Sequence, residues 1–120
     1  MSNMSDIAKA FYQYFNTINQ AYLEGVVPPE AKLPYMTYTL GYSVGFEDNL
    51  IQVKIYDIGT SIKKITEIAD KLSDDIGAGK TILVPNGSIW IKKGEPFQQF
   101  IKLEKEMAIY INLETNYLGG

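Results

Sequence analysis

The last third of the chain reads as strands that follow one another with no helix between them, and this feature restricts the fold most. Apolar and β-branched residues at 81–84 and 88–91 flank Pro85-Asn86-Gly87. There proline pre-sets the first turn angle and Gly87 is expected at a left-handed position, the signature of a short hairpin with a bulge. A further extended piece is expected over 98–103. Residues 107–117 alternate Met107, Ile109, Ile111 and Leu113 against Ala108, Tyr110, Asn112 and Glu114, the two-residue period of a strand with one buried face. Strands joined this directly pair as hairpins, so the sheet is expected to be mainly antiparallel.

Ahead of this meander the period changes. Ile7, Phe11, Tyr14, Phe15, Ile18, Ala21 and Tyr22 recur at helical spacing, with Ser5 and Asp6 placed to cap the start and Gly25 to end it. The aromatic stripe on this helix suits core packing; a partner-binding helix is the other use of such a face. Val26-Val27-Pro28-Pro29 breaks the helix, and Leu33-Pro34 leads into an extended run because residues before proline avoid helical angles. Two strands are expected at 35–43 and 50–56, the second with Ile51, Val53 and Ile55 on one face. After Gly59-Thr60-Ser61, apolar Ile62, Ile65, Ile68, Ala69, Leu72 and Ile76 define a second amphipathic helix with Gly77 as its stop. The expected fold is α+β over a single domain, 1–120, with a sheet of about five to six strands and two helices packed on one face.

Composition limits the chemistry. All eleven basic residues are lysines, and the chain has no arginine, histidine or cysteine. There is therefore no imidazole base, no thiolate nucleophile, no nitrogen or sulfur zinc ligand and no bidentate guanidinium clamp. An enzyme is not expected, and neither is a cofactor or a metal. A net charge of −3 argues against a nucleic-acid groove, which needs a concentrated basic face. The first 25 residues are too polar for a signal-peptide core or a membrane helix, so a soluble chain made in the cytosol is expected, with no membrane partner.

Gly77-Ala78-Gly79-Lys80-Thr81 ends like a phosphate-binding loop, but Asp74 stands where that loop needs its first glycine. The context is also reversed, since here a helix ends and a strand begins. Helix stop followed by strand start is the expected reading. Glu67, Asp70, Asp74 and Asp75 read as a solvated acidic helix face, and Glu47 with Asp48 as loop charge without the regular oxygen spacing of a calcium loop. Trp90, between Ile89 and Ile91, faces away from both and suits either a core or an interface.

Two short motifs, Leu33-Pro34-Tyr35-Met36-Thr37-Tyr38 and Gly94-Glu95-Pro96-Phe97-Gln98-Gln99, resemble the tail terminator family of long-tailed bacteriophages and prophages, which includes minor capsid and tail-to-head joining proteins. The likeness extends along essentially the whole chain: N-terminal helix, Pro-Tyr-x-x-Tyr strand, polar hairpin, the strand at Ile51-Gln-Val-Lys-Ile-Tyr-Asp, the helix at 61–76, a hairpin, the Gly-x-Pro-Phe-x-Gln element and a long last strand. One departure is that the family often carries Arg in these strands, where this chain has Lys or nothing. The resemblance implies a ring, usually of six subunits, that caps the tail tube, stops its polymerisation and meets the head connector or stopper protein. DNA would pass through the lumen without specific binding. The protein would sit in the virion tail and, during assembly, in the host cytoplasm. Interface positions on this reading are Tyr35, Tyr38, Phe46, Asp48, Trp90, Pro96, Phe97 and Gln98, with the last three on a connector leading into an edge strand. The alternative is a small monomeric adaptor that grips one peptide by strand addition at a sheet edge.

Overall fold

The computed structural model of the chain describes residues 4–40, 49–59 and 62–119. Within them the order is α1 (Met4–Ile18), β1 (Ala21–Leu23), β2 (Tyr35–Tyr38), β3 (Asn49–Ile58), α2 (Lys63–Ile76), β4 (Lys80–Val84), β5 (Gly87–Lys102) and β6 (Glu106–Gly119). The strands form one six-stranded sheet ordered β1-β2-β3-β6-β5-β4, antiparallel throughout except for the parallel β1–β2 pair. It curls as a half-barrel, so the expected α+β fold with a mainly antiparallel sheet is the fold observed.

Register divides the sheet into two faces. Ile51, Val53 and Ile55 stand opposite Leu113, Ile111 and Ile109, and Met36 and Tyr38 stand opposite Ile55 and Val53. These residues join Ile7, Phe11, Phe15 and Ile18 of α1 and Ile65, Ala69, Leu72 and Ile76 of α2 in one buried cluster. Both helices thus fill the same inner face, α2 over β3, β5 and β6, and α1 against the two end strands, β1 and β4.

The first helix is shorter than its apolar period suggests. It ends at Ile18, and Ala21 and Tyr22 lie in β1. Ala21 is buried as expected, but by strand pairing, Ala21 standing beside Met36. The cause is local polar competition. The Asn16 side chain accepts from the Ala21 N–H at 3.0 Å and donates to the Ala21 carbonyl at 3.2 Å, while Asn19 donates to the Pro34 carbonyl at 3.1 Å. Asparagine side chains offer the backbone an alternative to continuing the helix, and here Asn16 also occupies the β1 edge as a strand partner would. Ser5 and Asp6 sit inside the first turn, not ahead of it, and Asp6 suits the positive end of the helix dipole. The second helix begins at Lys63 after Ile62, which gives no side-chain cap, and stops at Gly77 with φ +53° as expected.

The meander also differs in detail. β5 is one strand of 16 residues, not two pieces, and carries an irregularity between Lys93 and Gln98. The turn before it contains two residues, with Val84 paired to Gly87, and the positive angle falls on Asn86 (φ +63°), so Gly87 is not the left-handed residue. Proline followed by a residue at positive φ is the type II arrangement, which asparagine tolerates.

Candidate functional site

Since the helices take the inner face, the side chains of opposite phase form an outer face that no helix covers among the described residues. Tyr22 of β1, Tyr35 of β2 and Tyr56 of β3 stand in a row there, with ring centroids 6.0 Å and 5.8 Å apart. Lys54 lies 5.0 Å over the Tyr110 ring of β6 and pairs with Glu24 at 2.7 Å. The hydrogen bond to Glu24 keeps the Lys54 ammonium charged to higher pH than usual, against the opposing pull of its partial burial. Burial raises the Tyr56 hydroxyl above its ordinary value despite Lys54 beside it. Tyrosine supplies large contact area with few rotamers to freeze, which is why it is enriched where proteins meet.

Farther along the same face Lys92 pairs with Glu114 at 3.2 Å, and Trp90 is 37% exposed, opposite in phase to buried Ile89 and Ile91 as expected. Gly79 makes room for its ring: a Cβ there would lie 2.1 Å from the indole.

The Gly94-Glu95-Pro96-Phe97 element is a bulge inside β5 and not a connector. Asn112 of β6 anchors it, donating from Nδ2 to the Pro96 carbonyl at 2.8 Å, and Gly94 is buried so close to β6 that a Cβ there would sit 3.0 Å from the Asn112 carbonyl oxygen. Phe97 packs half-buried against the core with Lys93 Nζ 5.1 Å over its ring. Beyond the bulge residues 98–102 pair with β6 on one side only. β4 reaches no farther than residue 91, so the other side has no strand partner among the described residues. The expectation of an edge strand after Pro96 therefore describes residues 98–102.

The expected interface set separates accordingly. Tyr35 and Trp90 lie on the outer face, and Pro96, Phe97 and Gln98 at the bulge. Tyr38, only 3% exposed and 4.8 Å from the Phe15 ring, is a core residue that offers no surface to a partner. Phe46 and Asp48 lie outside the described residues. Tyr22, Tyr56 and Tyr110 were not among the expected positions. The alternation around Lys54 and Tyr110 carried the signal for two of them, whereas Tyr22 was hidden by the overlong helix.

A third polar cluster ties the helices together. Tyr14 of α1, buried, donates to Asp75 Oδ2 of α2 at 2.7 Å, and Lys80 at the start of β4 lies 3.6 Å from the same oxygen. Asp75 is thus committed to a structural contact and is not merely a solvated helix charge. Lys80 faces this carboxylate at a helix stop and strand start, as its motif context suggested. Burial, and then the hydrogen bond and charge of Asp75, push the Tyr14 hydroxyl far above its ordinary value. A phenol whose folded pKa is raised favours folding below its unfolded value near 10, and that contribution is lost as pH rises above about 10. Tyr14→Phe is expected to cost about 1–2 kcal/mol at neutral pH, with a shallower loss of stability above pH 10 in urea melts than the parent shows; equal alkaline slopes would rule out Tyr14 as the source.

Among the described residues no three His, Cys, Asp or Glu side chains gather as a metal cluster, and no helix is long and apolar enough to cross a membrane. The sequence matches no protein-family model and no curated protein at a significant level.

Proposed function

We propose that the protein is a structural ring subunit of the phage tail terminator type, which caps the tail tube, stops its growth and offers a surface to the head connector. The observation that carries this reading is the sheet with one face committed to its helices and the other, aromatic, left uncovered. Such a subunit has two unlike sides, the tyrosine face and the charged outer surface of the helices. A contact between unlike sides repeats around an axis, and when the rotation closes it makes a ring with a defined end, without catalysis. A net charge of −3 per copy lets DNA pass through the lumen by repulsion. The site of action is the virion tail, reached from the host cytoplasm.

The test uses the tail tube protein encoded in the same gene neighbourhood. Electron micrographs of the mixture should show closed rings, six subunits each, on the ends of shortened tubes. Tubes that elongate without limit in its presence, and bear no cap, would exclude this function. The second reading, a monomeric adaptor acting by strand addition, is favoured by the open side of residues 98–102. It requires one extended peptide bound per monomer and no ring.

A further inference from the structure

Stretches of the sheet edge differ in what lies beside them. The β1 edge is occupied at Ala21 by the Asn16 side chain, and α1 packs along β4. Residues 98–102 form an extended run paired with β6 and with no strand on their other side among the described residues. An edge of this kind recognises another extended chain through main-chain hydrogen bonds, with side chains setting the register.

The sequence around this run is complementary to itself. In an antiparallel pairing of two copies centred on Phe100, Phe100 faces Phe100 of the other copy, Gln99 faces Ile101, and Gln98 faces Lys102. Within this run no two like charges are opposed, since Lys102 is its one charged residue and faces Gln98. Phe100 is 49% exposed, apolar surface that this register would cover. Opposed side chains in an antiparallel pair stand about 5 Å apart, where aromatic pairs attract and like charges repel. We propose that the free protein forms a two-fold dimer by antiparallel pairing of residues 98–102 of β5 with the same segment of a second copy. The contact is short, so the dimer is reversible. It is independent of the ring reading, because its two partners use the same surface whereas a ring uses two unlike ones.

The register makes a charge exchange decisive. The unmodified protein is expected to show a concentration-dependent monomer–dimer equilibrium by sedimentation. Phe100→Glu alone, and Phe100→Lys alone, should each weaken association by about tenfold or more, since each places a charge against its own copy. An equimolar mixture of the two variants should recover the dimer as a one-to-one heterodimer. Circular dichroism melts close to the parent would show that both variants fold. A strictly monomeric parent, or variants that dimerise as well alone as mixed, overturns the proposal. A six-membered ring whose mass is unaffected by either substitution would overturn it too and leave the ring reading standing.

Discussion

Gly87→Val is expected to destabilise the protein by about 3 kcal/mol and to lower its melting temperature by about 10 °C. The reason is space and not backbone angle. Gly87 begins β5, paired with Val84 on one side and Gly119 on the other, and it does not have a positive φ. A Cβ added there would lie 2.6 Å from the Leu118 carbonyl oxygen and 3.0 Å from the Tyr117 hydroxyl. The nearest atom belongs to the backbone of the neighbouring strand, so relief requires β6 to move and its pairing with β5 to open. The left-handed residue is Asn86, and this separates the two causes. Asn86→Gly should be tolerated, because glycine adopts a positive φ freely, whereas Gly87→Ala should already show much of the Gly87→Val loss. Thermal melts of the three variants check this; a Gly87→Val protein that melts with the parent would mean that β6 does not approach the turn closely.

The turn shows where reading a sequence stops. Proline, asparagine and glycine in a row announce a hairpin at this position, but which of Asn86 and Gly87 takes the positive angle depends on whether the loop has two residues or three. That is set by strand register, here the pairing of Val84 with Gly87. Periods carried over best. Ile51, Val53 and Ile55, and Met107 through Leu113, alternate against polar neighbours, and each apolar set is buried. The end of α1 did not carry over, because Ala21 and Tyr22 fall at helical spacing as well as in a three-residue strand. The deciding contacts, Asn16 to Ala21 and β1 to β2, are made by the fold and not by the local period. The motif around Tyr38 points to an interface, yet two-residue alternation from Met36 puts it on the core face. The open side of residues 98–102 depends on how far β4 extends, and a sequence does not state that.

The stripe on α1 poses the sharpest question of function, since an aromatic helix face can be a core element or a partner-binding one, and Phe15→Ala decides between them. Phe15 is fully buried, with ring centroids 4.8 Å from Tyr38, 5.5 Å from Tyr14 and 5.9 Å from Phe11. It packs α1 against Tyr38 of β2, and α1 also contacts the end strands β1 and β4. Truncation to alanine removes a ring from a site that the surrounding aromatics cannot collapse to fill, and is expected to cost about 3–5 kcal/mol. Against a typical total of about 5–15 kcal/mol, this takes a large part of the stability of the whole domain. Tyr12, one turn before it on the same helix but 51% exposed, provides the control: Tyr12→Ala should stay within about 0.5 kcal/mol of the parent. Urea unfolding of the two variants is the measurement. A single cooperative transition shifted strongly by Phe15→Ala and not by Tyr12→Ala means that α1 is part of the folding unit. Partner contacts then fall to the tyrosine face and the β5 edge. If Phe15→Ala instead melts α1 alone and leaves the sheet transition in place, the helix is a detachable arm, and the surface beneath it becomes the site to which a partner binds.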